Sequence, residues 1–176
     1  MAKIEISILQ SANGVKFGSD AAAVHKVFGD NFKNYKDKEL TDSDKVFLMK
    51  VAERMSEISG RPVTDYSKYI DEETEFDHDP CDYYPFFMID YDENDRFNAI
   101  SIYSDDKTKL FVDGKEYSFD FETLLTLADD FVEEENKTSY TSYSKQISIW
   151  CPDGDKRVES VSFGCPGYWD SLKEDL

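Results

Sequence analysis

Three stretches of this chain gather side chains that could do chemistry. Asp90-Tyr91-Asp92-Glu93-Asn94 opens with the D-x-D-x-N spacing of a calcium loop, in which hard oxygen donors close on one cation. The match then fails. The sixth position, where the loop needs glycine, is Asp95, and the twelfth, where a bidentate glutamate belongs, is Ser101. A polar hairpin turn accounts for the same residues. Asp77-His78-Asp79-Pro80-Cys81-Asp82 sets imidazole, thiol and carboxylate close together, the donor types of a metal centre. It lacks the i, i+4 or paired-cysteine spacing that brings ligands onto one ion, and an acidic loop that happens to hold a His and a Cys is the better account. No metal and no cofactor is assigned, and a calcium- or metal-binding regulatory domain is kept as the alternative to the function argued below.

The third stretch is the most acidic. Between Tyr66 and Tyr83 fall Glu72, Glu73, Glu75, Asp77, Asp79 and Asp82, with Tyr66, Tyr69, Phe76, Tyr83 and Tyr84 in or beside them. Rings set among carboxylates suit a Lys- and Arg-rich surface, through ion pairs with cation–π contacts. The same rings could instead anchor a long loop to a sheet edge, and both readings stand. The whole composition leans the same way. With Asp+Glu 38 against Lys+Arg 20, the formal charge is −18, which repels phosphate backbones and anionic lipid and favours a basic protein partner, although acidity that only maintains solubility is the plainer reading of the same number. Catalysis finds no support: there is no G-x-S-x-G, P-loop or HExxH, and only His25 and His78 could act as a base. Carboxylates are too abundant for any acid–base pair to stand out.

The elements that must position these groups are organised around Tyr84 to Ser104, two apolar runs about an acidic turn that read as a central β-hairpin. Phe87, Ile89 and Tyr91 alternate with Phe86, Met88 and Asp90, so both faces are largely apolar and the pair belongs inside a sheet. Lys3 to Gln10 alternates as a strand. Lys109 to Val112 is another, turned by Asp113-Gly114. Lys145 to Cys151 and Arg157 to Phe163 form a second hairpin, with Ile147, Ile149 and Cys151 facing one way and Gln146, Ser148 and Trp150 the other. Three helices are expected. Ser19 caps a short one closed by Gly29, and Thr41 opens one whose stripe is Phe47, Leu48, Val51, Ala52, Met55 and Ile58. Asp120 caps the third, carrying Phe121, Leu124, Leu125, Ala128, Phe131 and Val132. Thr138 to Ser144 reads as a polar connection, and Tyr168, Trp169 and Leu172 as a tail packed back on the sheet. The expected fold is therefore α+β: one domain over residues 1–176, an antiparallel sheet built from hairpins with about three helices against it, and an acidic surface loop at about 66–83.

A chain of 176 residues can bury roughly 70% of its unfolded surface, enough for a true core. Cys81, Cys151 and Cys165 are odd in number and unpaired in spacing, as expected of reduced thiols. No run approaches a membrane span and the start has no secretory pattern, so a cytoplasmic protein is expected.

Residues 15–29, Val15-Lys-Phe17-Gly18 through Val24-His-Lys-Val-Phe28-Gly29, resemble a recurrent bacterial pattern of strand end, glycine, short helix and closing glycine. The outer-membrane assembly lipoproteins of the SmpA/BamE type and the β-lactamase inhibitor protein repeat carry it. The usual Met-Thr after the glycine is here Ser19-Asp20, and no lipoprotein cysteine is present, so an envelope role does not carry over. The resemblance implies an antiparallel sheet and work done by binding other proteins. The general layout is also similar to small bacterial or phage proteins of the immunity kind. The expectation is a non-enzymatic acidic binding module, an inhibitor or immunity-type protein that masks a basic, nucleic-acid-binding surface of a partner by charge mimicry. Glu72, Glu73, Glu75, Asp77, Asp79, Asp82 and Tyr83 would make the contact.

Overall fold

The computed structural model of the chain describes residues 2–35, 49–50, 53–54, 56, 62, 80–104, 107–134, 138–152 and 156–170. The chain divides into two compact units, Met1–Asn34 with Asp79–Leu176, and Tyr35–His78.

The first unit is built from two sheets. In the smaller, strands follow the order β3-β2-β1-β8-β9: β1 (Ala2–Ser7), β2 (Ser11–Ala12), β3 (Val15–Lys16), β8 (Thr108–Val112) and β9 (Lys115–Tyr117). Its tight turns are Asn13-Gly14 and Asp113-Gly114, and all four residues have positive φ, the conformation that a type I′ hairpin requires. The larger sheet runs β10-β11-β12-β13-β7-β6-β5-β4. Its strands are β4 (Lys33–Tyr35), β5 (Cys81–Tyr83), β6 (Phe87–Tyr91), β7 (Phe97–Tyr103), β10 (Phe131–Glu133), β11 (Ser139–Ser142), β12 (Ile147–Trp150) and β13 (Ser160–Gly164). The two hairpins anticipated from the sequence are both present, β6 with β7 and β12 with β13, and β13 joins them by pairing with β7.

The inner faces of both sheets meet in one core. Ile4, Ile6, Leu110 and Val112 come from the smaller sheet, and Ile89, Ile100, Ile102, Ile147, Ile149 and Phe163 from the larger. Each such side chain, buried fully, contributes about 1.5–3 kcal/mol. Helix α1 (Ala21–Phe28) adds Val24, and α2 (Phe121–Leu125) adds Phe121 and Leu124. Among the described residues no helix is long and apolar enough to cross a membrane.

The α+β expectation is overturned: the molecule is mostly β, in two sheets rather than one, with only two short helices described in full. The smaller sheet is not purely antiparallel either, because β1 and β8 run parallel, Ala2 opposite Thr108 through Ile6 opposite Val112. The helix expected from Asp120 onward stops after Leu125. Thr126 turns its hydroxyl back onto the Thr123 carbonyl at 2.7 Å, and such local bonding competes with the helical ladder. Glu133 and Glu134 would also have opposed the helix dipole. Phe131–Glu133 instead pairs antiparallel with Ser139–Ser142, the segment expected to be a connection, whose Thr and Tyr fit a pleated surface. Helix α1 is capped by Asp20 rather than Ser19, its Oδ1 accepting from the Ala23 N–H at 2.9 Å. Of the helix expected at 41–59, residues 49, 50, 53, 54 and 56 are helical and the rest lies outside the described residues.

Candidate functional site

Of the residues expected to meet a partner, Glu72, Glu73, Glu75, Asp77 and Asp79 lie outside the described residues, as does His78. The other two part company on β5. Tyr83 is exposed, whereas Asp82 is completely buried, so its carboxylate is withdrawn from any surface contact.

Strand alternation turns Asp82 inward, where it meets helix α1. Its Oδ2 accepts from the Tyr91 hydroxyl at 2.6 Å and faces His25 Nε2 at 2.7 Å. Burial, reinforced by the bond to Asp82, pushes the Tyr91 phenol well above its ordinary range. The imidazole stacks on Phe32 at 4.4 Å, and the Tyr84 hydroxyl bonds the Gly29 carbonyl at 2.9 Å, where α1 ends. A carboxylate that orients an imidazole is half of a general-base device. Among the described residues, however, no hydroxyl or thiol bonds the other ring nitrogen, and the cluster acts as a polar clamp between α1 and strands β5 and β6.

The Asp90-to-Asn94 segment spends its oxygens on the protein itself. Asp92 Oδ1 accepts the backbone N–H groups of Asn94 at 2.9 Å and Arg96 at 2.8 Å, which shapes the turn between β6 and β7. Asp90 projects from β6 and accepts from Tyr168 at 3.4 Å. Cys81 is buried in β5. Among the described residues no group of three or more His, Cys, Asp or Glu is placed to hold a metal ion.

The outer face of the larger sheet has a more distinctive surface. Register places Val132, Thr141, Ser148, Ser162, Ser101, Met88 and Tyr83 side by side in one row across six strand pairings. A second row holds Ser139, Trp150, Ser160 and Tyr103. Hydroxyls pair across strands, Ser101 with Ser162 at 2.8 Å and Thr141 with Ser148 at 3.2 Å. Trp150, Val132 and Tyr83 are the exposed large apolar side chains here, at 44%, 39% and 39% accessibility.

Cys165 to Asp170 crosses this face and raises a wall on it. Gly164 lets it approach: a Cβ there would fall 2.6 Å from Tyr168 Cβ. Gln146 holds the crossing segment, its Oε1 accepting the Trp169 N–H at 2.6 Å and its Nε2 donating to Asp170 at 3.1 Å. Between Trp169 and Trp150 lies a groove of about 360 Å³, floored by Thr141, Ser148, Ser160 and Ser162 and bounded by Ser139 and Glu134. That volume is in the range of small-ligand sites.

Beside the groove, β10 forms an edge of the sheet and carries carboxylates whose partners are uncharged. Tyr140 donates to Glu133 at 3.0 Å and Tyr143 to Glu134 at 3.4 Å. Asp130 accepts from the Ser142 hydroxyl and from the Ser144 N–H, and these bonds hold its carboxyl below the usual range, the Ser142 hydroxyl most strongly. Asp129 is exposed next to it. Among the described residues no cation pairs with these four. Reading 120–135 as one helix hid this edge. The signal for it was β-branched Val132 followed by alternation in Ser139-Tyr140-Thr141-Ser142. No family model, curated protein or solved structure matches the chain.

Proposed function

We propose that this protein is a non-enzymatic binding module, an intracellular inhibitor of the immunity kind, that covers a basic, nucleic-acid-handling surface of a partner protein with negative charge. The observation that carries it is the β10 edge, where Asp130, Glu133 and Glu134 take hydroxyl and amide donors rather than cations among the described residues. Carboxylates held by cations would offer a partner far less. With a chain charge of −18, long-range attraction favours encounter with a basic surface. Val132 and Trp150 supply exposed apolar area next to the charge, the mixture found where interfaces desolvate.

The test is capture on the immobilised protein from nuclease-treated lysate of its source cells, with stepwise salt elution. The comparison is a variant carrying Asp129→Asn, Asp130→Asn, Glu133→Gln and Glu134→Gln. A basic protein retained by the parent and released at lower salt from the variant is the expected result. Equal retention by both removes β10 from the interface.

A further inference from the structure

We infer that the groove between Trp150 and Trp169 receives an arginine side chain of the basic partner, an inference that rests on the partner reading above and names where that partner is anchored. The lining decides the chemistry. Among the described residues that line it, Glu134 is the one charged group and there is no cation, so an anion gains no charge partner there. Two indoles border it, Thr141, Ser148, Ser139, Ser160 and Ser162 supply hydroxyl oxygens, and the buried Trp169 indole N–H, without a partner among the described residues, is the one donor a guanidinium would leave unmet. The side chains of Ser139 and Ser160 make no hydrogen bond among the described residues.

A guanidinium fits this combination. It is planar, stacks on aromatic faces, and carries five N–H donors with no acceptor. It would therefore lie over the exposed Trp150 ring, direct a donor pair toward Glu134, and spend the remaining donors on serine hydroxyls. A lysine ammonium is a compact, strongly hydrated charge with no plane to stack, and it gains less here. A neutral polyol would use the hydroxyls but draw nothing from Glu134 or from the charge on β10. The wall is held in place beforehand: Trp169 packs edge-on against Tyr168 at 4.5 Å, Tyr168 rests on Gly164, and Gln146 fixes the Trp169 backbone. Little ordering cost remains for binding.

Trp150 and Trp169 are the chain's only two tryptophans, so tryptophan emission, excited where tyrosine does not absorb, reports this groove. The experiment titrates the full chain at physiological ionic strength with a hexa-arginine peptide, a hexa-lysine peptide and methyl glucoside, following tryptophan emission. A parallel series measures anisotropy of dye-labelled hexa-arginine. A saturable emission change with hexa-arginine, weaker with hexa-lysine and absent with the glucoside, is expected. In the anisotropy series Trp150→Ala and Glu134→Gln should each weaken hexa-arginine binding roughly three- to tenfold. Trp150 is an exposed side chain, so its removal spares the fold. Unchanged affinity in Trp150→Ala, with loss only in the β10 charge variant, overturns the groove while the acidic-edge reading survives. An emission change with the glucoside and none with hexa-arginine overturns it in favour of a polyol site. Failure of the parent chain to bind hexa-arginine at all overturns both readings together.

Discussion

The Tyr91 hydroxyl donates to Asp82 Oδ2 across 2.6 Å between neighbouring strands, and the same oxygen faces His25 Nε2 at 2.7 Å. One fully buried carboxylate oxygen thus ties two strands of the larger sheet to helix α1. Deleting the phenol oxygen removes a donor from an acceptor that water cannot reach. Tyr91→Phe should lower stability by about 1–3 kcal/mol, read from the urea unfolding midpoint. A midpoint that does not move would mean that the bond contributes nothing net.

Phenols in and beside this cluster should limit stability at alkaline pH. Burial raises the phenols of Tyr91 and Tyr103 above their ordinary range and pushes Tyr84 up to about 12, against about 10 in an unfolded chain. The folded state holds these protons more tightly, so their contribution is complete below about pH 10 and is lost as pH rises through the folded values. Thermal unfolding followed from pH 8 to 11.5 should show a falling melting point. In Tyr91→Phe the fall should be shallower, and parallel curves would remove Tyr91 as its source.

On the acid side the sign reverses. Asp130 is held below the usual carboxylate range by the Ser142 hydroxyl, and Asp120 by Ser118 and Thr123. A lowered folded value gives a contribution present above the unfolded value of about 4 and lost as pH falls through the folded one. Protonation also relieves the repulsion within a chain of charge −18, so the absolute curve mixes two trends. The difference between parent and Asp130→Asn isolates the first. That gap should be widest at pH 7 and shrink toward pH 3, and a gap independent of pH would contradict the assignment.

Gly164→Ala tests the crossing segment. The added carbon would lie 2.6 Å from Tyr168 Cβ, well inside contact distance, so Tyr168 and Trp169 must move away from the sheet. A loss of about 1–3 kcal/mol is expected, with a shifted Trp169 indole N–H resonance. An unshifted resonance would show that the strand, rather than the segment above it, absorbs the clash.

Alternation made much of the larger sheet legible in the sequence. Ile147, Ile149 and Cys151 are buried, Ser148 and Trp150 face out, and β6 and β7 lie inside the sheet as two apolar faces require. Residues 120–135 misled because Phe121, Leu124, Leu125, Ala128, Phe131 and Val132 satisfy a helical period, while the true structure switches period between Leu125 and Phe131. Long-range pairing was not legible at all. Nothing local in Lys3 to Ser7 announces a parallel partner at Thr108 to Val112, and nothing in Asp82 announces His25. The groove was hidden for the same reason: Trp150 and Trp169 belong to different segments and share a site only because Gly164 and Gln146 bring the crossing segment across.

The parallel pairing of β1 with β8 has a consequence for how the molecule is made. Strand β1 sits in the middle of its sheet, flanked by β2 on one side and β8 on the other. As a nascent chain leaves the ribosome, β1 to β3 can zip at once, but the flank that takes β8 stays open until Thr108 to Val112 emerge. During that wait the bare edge of β1 can pair with other chains. Closure must then span a long loop, a slow kind of step. Refolding yield should therefore depend on concentration more steeply than the size of the protein alone suggests.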